Sequence, residues 1–377
     1  MRILEIFYYR YFTNDGQALS IGGIETYIRQ LAELACSMQI TTRIFQVGTF
    51  MGKAVPYAEV YAVDNRDANP FPALYARAEE LRRANDVVVS VIANDTLIPT
   101  WDVPNSLVIQ HGIGFDYETE RKGKEWMFML LNAYQNFKRV RALRHVDELV
   151  CVDNNYICWY RTMTRFRKVK MTPILNFTPL GPERVLRKGN GKVRLVFARR
   201  FVKIRGTRLF APVVQRLLET FPQLEVVWAG TGPDEGYLRS LFGENNRVRF
   251  TTYDATGSVA FHGRFDIAVV PTIFSEGTSL SLLEAMSAHC AVVCTNVGGM
   301  TNIVLDGFNG LMVSPDEEEL YAAVARLIED KELRLRLSTN AYETVKASFS
   351  LAKWQGAWRK VLTRKFACIE NRKTIPG

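Results

Sequence analysis

The chain has 377 residues, 47% of them hydrophobic, and a formal charge of +9. This is more apolar material than one ordinary core holds, so two domains are expected and a disordered chain is excluded. No run approaches the ~18–20 apolar residues of a membrane span, and "MRILEIFYYRYF" is broken at Arg10 too early for a secretory leader, so a cytoplasmic protein is expected.

Taken in chain order, "RILEIF" reads as a buried strand. It is followed by "GGIETYIRQLAELA", where Ile24, Ile28, Leu31 and Ala35 form one apolar helical stripe. "TTRIFQV", "DVVVSVI", "SLVIQ" and "ELVCV" then alternate with helical segments, a βαβα rhythm that predicts a parallel sheet. Between Arg121 and Lys170 lie twelve Lys and Arg against four acids, nearly the whole net charge of the chain. Such a window serves an anionic partner or a solvated helical face. Within it, "RKGKEWMFMLLNAYQNFKRVRALR" sets Trp126, Phe128, Leu130, Leu131, Tyr134 and Phe137 between basic flanks. That pattern suits an anionic lipid surface, with some of these residues packing into the first domain.

Phe177 to Lys192, rich in Pro and Gly and without periodicity, reads as a linker. The rhythm restarts with "VRLVFA", "LEVVWAG", "RVRFT", "DIAVVP" and "AVVCT". Two doubly wound α/β domains are therefore predicted, residues 1–178 and 192–348. Residues 349–377 form a last helix and tail, free to pack back on the first domain through Trp354, Trp358 and Leu362. Ligands of such sheets bind beyond the carboxyl ends of the strands, so the expected site is a cleft between the two domains.

Four loops at predicted strand ends carry candidate chemistry. Gly22 and Gly23 open the first helix and serve a tight turn, an anion, or both. His111, after "SLVIQ", is the candidate among the four histidines, either cleft-facing or structural, whereas His145, His262 and His289 lack such a loop. "RRFVKIRG" gathers Arg199, Arg200, Lys203 and Arg205, a cation set suited to diphosphate or simply to a basic turn. Gly230, in "WAGTGP", permits close backbone approach. "SEGTSLSLLEAMSAHC" puts Glu276 before a helix and Glu284 within it, with the amides of Gly277, Thr278, Ser279 and Leu280 between. Helix-start amides suit phosphate, and a carboxylate accepts both hydroxyls of a vicinal diol such as ribose. The six cysteines (Cys36, Cys151, Cys158, Cys290, Cys294, Cys368) form no CxxC pair and are expected to be reduced, mostly as small hydrophobes. No metal site is expected.

These residues resemble the retaining nucleotide-sugar glycosyltransferases of family 4, with the two-Rossmann GT-B fold. The likeness runs through "GGIETYIRQLA", "ARRFVKIRG" and the stretch from "PTIFSEGTSLSLLEAM" to "VGGMTNIVLDGFNGLMV". It implies that Arg200 and Arg205 hold the diphosphate and Glu284 the ribose. It further implies that Glu276 and the amides of Gly277 to Leu280 hold sugar and phosphate, that His111 lines sugar and acceptor, and that Gly23 lies near the phosphates. Arg205 stands where Lys is usual, Ala291 replaces a frequent Pro, and His289 replaces a common Gly at a helix end. The implied activity is retaining, metal-independent transfer from a UDP or GDP sugar to a saccharide acceptor, lipid-linked, in cell-surface polysaccharide or glycolipid synthesis at the inner membrane face. No cofactor is implied. The alternatives are an epimerase or hydrolase on the same fold, or a non-catalytic binding subunit; nucleic acid is not expected as a partner, since no reading motif is present.

Overall fold

The computed structural model describes residues 1–20, 22–67, 69–97, 99–112, 125–162, 169–183, 191–274 and 276–374. Part of the basic window (Arg121, Lys122, Lys124, Arg165, Arg167 and Lys168) lies outside these residues, as does Ser275. The chain divides into two compact units. The first takes the described residues of Met1–His111, Phe115–Ile174 and Gln355–Gly377, and the second those of Gly112–Gly114 and Leu175–Trp354.

The first unit holds an eight-stranded sheet: β1 (Arg2–Phe7), β2 (Thr41–Val47), β3 (Gly52–Val55), β4 (Ala58–Val63), β5 (Val87–Ile92), β6 (Ser106–Gln110), β7 (Glu148–Cys151) and β8 (Lys170–Pro173). Its order is β3-β4-β2-β1-β5-β6-β7-β8, parallel except for β3 against β4. Strand β1 is buried on both faces, which is why "RILEIF" is almost continuously apolar. Its acidic residue, Glu5, is fully buried and held by Arg82 at 2.7 and 3.0 Å. Helix α1 (Gly23–Ser37) buries Tyr27, Ile28, Leu31, Ala32, Leu34 and Ala35, close to the expected stripe.

The second unit holds six parallel strands: β9 (Val193–Ala198), β10 (Leu224–Ala229), β11 (Val248–Thr251), β12 (Ile267–Val270), β13 (Ala291–Thr295) and β14 (Leu311–Val313). The order β11-β10-β9-β12-β13-β14 reverses direction between β9 and β12, the topological switch point of a Rossmann sheet. One face packs Phe197, Phe201, Phe210 and Phe242 around the fully buried Trp228. The other packs Val196, Ala198 and Val292 on Leu282, Leu283 and Met286 of helix α8 (Leu280–Ser287).

Three expectations need correction. Phe177 to Gly181, read as linker, is anchored: Phe177 stacks on Trp354 at 4.4 Å, and Thr178 bridges Ser350, because buried apolar contact and main-chain pairing outweigh local Pro and Gly content. Cys36, Cys158 and Cys368 are exposed on the outer faces of their helices, and only Cys151, Cys290 and Cys294 are buried. The helix of "EWMFMLLNAYQNFKRVRA", α3 (Glu125–Ala142), does not bury its large apolar residues. Trp126, Met127, Met129, Leu130, Leu131, Tyr134 and Phe137 are 42–66% exposed, while the half-buried stripe is Phe128, Asn132, Asn136 and Arg139. At 100° per residue, Trp126, Met127, Leu130, Tyr134 and Phe137 fall on one arc opposite that stripe, so most of the large apolar residues face outward, while the inward side mixes Phe128 and the buried Val140 with Asn132, Asn136 and Arg139.

The last helix, α11 (Leu351–Thr374), begins among second-unit residues and continues, from Gln355, with the first. Trp354, Trp358 and Leu362 are buried, and the Trp358 indole donates to the Tyr27 hydroxyl at 2.8 Å. Glu148 on β7, fully buried, accepts from Arg364 at 2.8 and 2.9 Å, with Lys170 at 3.6 Å and Lys365 at 3.9 Å. No helix among the described residues is long and apolar enough to cross a membrane.

Candidate functional site

Two loops leave the sheet of the second unit at the switch point, one after β9 and one after β12. Gly206 closes the first in the left-handed region (φ 82°), where a Cβ would lie 1.8 Å from the Pro271 carbonyl oxygen, so only glycine permits this approach. Ile273 N–H bonds the Ile204 carbonyl at 3.2 Å, tying the two loops together. Gly230 (φ 151°) follows β10, and a Cβ there would lie 2.1 Å from the Arg199 carbonyl oxygen.

Between these loops sits a charged cluster. Glu276 Oε2 accepts from Arg199 Nη2 at 2.8 Å and from Arg205 Nη1 in a very short contact, and Arg199 Nη1 donates to the Thr272 hydroxyl. Arg199 is nearly buried and Glu276 little more exposed, so water screens the pair weakly. Burial lowers the Arg205 pKa, with Arg199 and Arg200 adding to the effect and Glu276 opposing it. The "VGG" motif fixes the carboxylate from behind. Gly299 N–H bonds the Glu276 carbonyl at 2.8 Å, and Cβ atoms at Gly298 and Gly299 would strike the Glu276–Gly277 backbone at 2.2 and 2.4 Å. Asn176 holds the next residue, donating to the Thr278 carbonyl at 2.6 Å and, through its main chain, to the Thr278 hydroxyl at 2.8 Å.

Helix α8 starts beyond this clamp. Its N-cap Ser279 makes no side-chain bond to the first-turn amides, an arrangement that suits an anion at the positive end of the helix. Glu284, one turn along, lies against Ser258 and within reach of the Arg199 charge; burial pushes its carboxyl up to about 7. The helix ends in a Schellman turn, with Cys290 N–H on Ala285 O and His289 N–H on Met286 O, at 2.9 and 3.1 Å. His289 takes the left-handed position (φ 58°) expected to strain a residue other than Gly. Its ring offsets that cost by stacking on Tyr342 at 4.1 Å and bonding the Pro182 carbonyl at 3.1 Å.

Of the expected cations, Arg205 joins the cluster, whereas Arg200 is exposed and has no ion-pair partner among the described residues. Its neighbour Arg199 takes the inner place. The sequence shows both arginines; what selects Arg199 is its position directly beyond β9, facing Thr272. Thr272 and Asn176 carry no sequence signal of their own, whereas Gly206 closes the "RRFVKIRG" stretch.

In the first unit, Gly22 is the extended N-cap of α1 and Gly23 its first residue. The helix's own Glu25 lies over Gly22, where a Cβ would be 2.3 Å from a carboxylate oxygen, and accepts from the Tyr8 hydroxyl at 2.9 Å. This helix start thus already carries a negative group. His111 is half-buried, with Nε2 2.9 Å from the Ala93 carbonyl and its ring edge-on to Tyr27 at 5.7 Å. Burial drives its pKa down to about 4, so near neutrality the ring is uncharged. The bond to Ala93 requires the proton on Nε2, which leaves Nδ1 an acceptor.

Two Rossmann-like units, with an arginine-bracketed glutamate at the switch point of the second, are those of the GT-B fold. Residues 192–330 match the family described as "Glycosyl transferases group 1". That match covers most of the second unit, which is similar to this family. A phosphatidyl-myo-inositol mannosyltransferase of Mycolicibacterium smegmatis is 30% identical over 37% of each chain. The chain spans less than half the length of the curated relatives it matches first. A sucrose-phosphate synthase structure from Thermosynechococcus elongatus superposes with a TM-score of 0.76 at 17% identity, over 98% of this chain and 100% of that one. Anabaena HepE, solved in complex with UDP-glucose, gives 0.70 at 13% identity, over 97% and 100%.

Proposed function

We propose that the chain transfers a sugar from a nucleoside-diphosphate sugar, of UDP or GDP type, to a saccharide acceptor with retention of configuration. The observation that carries this is Glu276 bracketed by Arg199 and Arg205 beside the start of α8, with Glu284 one turn further. As the diphosphate departs, negative charge grows on its oxygens, where Arg205, Arg200 and the α8 amides stabilise it. Glu276 orients the sugar and Glu284 the ribose diol. Attack from the leaving-group face lets a departing phosphate oxygen take the acceptor proton, so the protein supplies no nucleophile. His111, neutral and with Nδ1 as acceptor, receives a hydroxyl hydrogen bond. A hydrolase or epimerase would need no acceptor, and product analysis with and without one separates these activities.

The test is a thermal-shift panel of UDP, GDP and their sugars, run from pH 6 to 8. The true donor nucleotide stabilises strongly and the others weakly. For Glu284 itself, the raised pKa means that its contribution to stability is present in the protonated form at low pH and lost as pH rises through about 7. Diol binding has the opposite sign because it needs the carboxylate. Nucleotide affinity should therefore rise about tenfold across this range, and Glu284→Gln should bind more weakly with a flat profile. A flat wild-type profile would remove Glu284 from the ribose site.

The acceptor is lipid-linked on this reading, at the inner face of a membrane. The outward apolar arc of α3, with the exposed Lys138 and Arg141 at its end, Arg144 just beyond it and Arg139 on the inner side, supports it: rings and aliphatic chains would enter the headgroup boundary while the exposed cations meet anionic lipid. The mannosyltransferase relative is named for a phosphatidyl-myo-inositol acceptor. The protein should float with anionic vesicles but not with zwitterionic ones, and neutralising the four cations should abolish flotation. Unchanged flotation of that variant would count against the membrane surface.

A further inference from the structure

The crossover from β11 to β12 is short. Its helix α7 (Ser258–His262) has five residues, roughly 7.5 Å of helix, which cannot cover a sheet face three strands wide. Parallel sheets are ordinarily covered on both faces. Among the described residues, the face that carries α7 and α8 is left open over the starts of β9 and β10 and along the edge strand β11. The register shows what it displays: Arg194 pairs with Glu225, Val227 with Arg249, and Ala229 with Thr251, all on that face. Phe261, Arg264 and Phe265 wall the opening, and the groove encloses about 700 Å³.

Among the described residues that line it, the groove holds five cations, Lys192, Arg194, Arg247, Arg249 and Arg264, against one carboxylate, Glu225. Lys192 and Arg194 bracket Glu225 in close ion pairs, and Arg247 is spent on the Leu218 and Phe221 carbonyls. Arg249 and Arg264 are exposed and have no carboxylate partner among the described residues. The charges are spread along the opening, not focused on one point. The floor and wall, Val227, Phe261 and Phe265, are apolar. The Arg199–Glu276 cluster lies at the other ends of the same strands, roughly 17 Å away by strand rise.

We propose that this groove is a second binding site, distinct from the donor site, for an acidic oligosaccharide bearing carboxylates or sulfates along its length. A single phosphate at Arg249 or Arg264 would leave the apolar wall and Glu225 without a partner. A chain of charged sugars matches their spacing, lays its ring C–H faces on the apolar floor, and offers hydroxyls to Glu225. The volume is that of a small-ligand site. The proposal does not depend on the identity of the transfer reaction.

The experiment is calorimetric titration of the whole protein with tetragalacturonate, beside maltotetraose, tripolyphosphate and an oligothymidylate. Tetragalacturonate should bind and maltotetraose should not. Arg249→Ala/Arg264→Ala should weaken binding at least about tenfold while leaving thermal stabilisation by nucleotide unchanged. Thr251→Trp, which fills the groove and keeps every cation, should weaken it comparably. The proposal fails if tetragalacturonate gives no heat, or if either variant binds like wild type, the arginines then only guarding a sheet edge. It also fails if tripolyphosphate or the oligothymidylate binds as tightly and is lost alongside, since the site would then be a general anion or nucleic-acid patch.

Discussion

Arg199→Ala and Glu276→Ala are each expected to lower kcat/KM for sugar transfer on the order of 10²–10³, about 2.7–4 kcal/mol of transition-state stabilisation. Glu276 is the hub of the cluster: it bonds two guanidiniums, and its main chain is clamped by Gly298 and Gly299. Without it, Arg199 and Arg205 repel each other, and on the proposed reading the sugar loses its orienting carboxylate. Without Arg199, both Glu276 and Thr272 lose the group that fixes them, although Arg199 itself need never touch substrate. Lysine should not rescue it, because one ammonium cannot bond both partners in the planar fork that a guanidinium provides. Arg200→Ala is the contrast. Its side chain is exposed and unpaired among the described residues, so only its own charge on the departing diphosphate is lost, a smaller fall that should read mainly on kcat. Wild-type kcat/KM in Arg199→Ala would remove the cluster from the reaction.

Glu148→Ala carries the largest expected cost in stability. The carboxylate is fully buried and collects Arg364, Lys170 and Lys365, two of them from α11. Removing one partner of a buried ionic network leaves the others uncompensated, which costs about 3–5 kcal/mol. For a unit of this size that is roughly 6–20 °C in melting temperature. Replacing Arg364 alone should cost less, since it is partly exposed and two lysines remain. A melting temperature within a degree or two of wild type for Glu148→Ala would show that the network contributes little.

The strands that pack on both faces were legible because burial forces them to be apolar and β-branched: β1, β5, β9, β12 and β13 fall within a residue of their expected limits. The missed strands, β3, β4, β8 and β14, lie at or beside sheet edges, where "GKAV", "KMTP" and "LMV" are too short or too mixed to show a period. Within the candidate site, the spacing of Glu276 and Glu284 and the glycines around them could be read directly, since each answers a local backbone or ligand demand. The choice between Arg199 and Arg200 could not, because it depends on where a side chain meets Thr272 more than seventy residues away. Glu148 was invisible for the same reason, with its partner Arg364 216 residues distant. The basic, apolar character of α3 was plain in composition, but not that its apolar arc turns outward, since periodicity gives an arc and not its direction.

The fixed tautomer of His111 bears on how the protein meets acid. Its proton is committed to the Ala93 oxygen and its charged form is suppressed, so a fall from neutrality to pH 6 leaves the ring as it was. The same fall protonates most of the Glu284 population. On the proposed reading, acidification acts first on retention of the nucleotide and leaves the acceptor side intact.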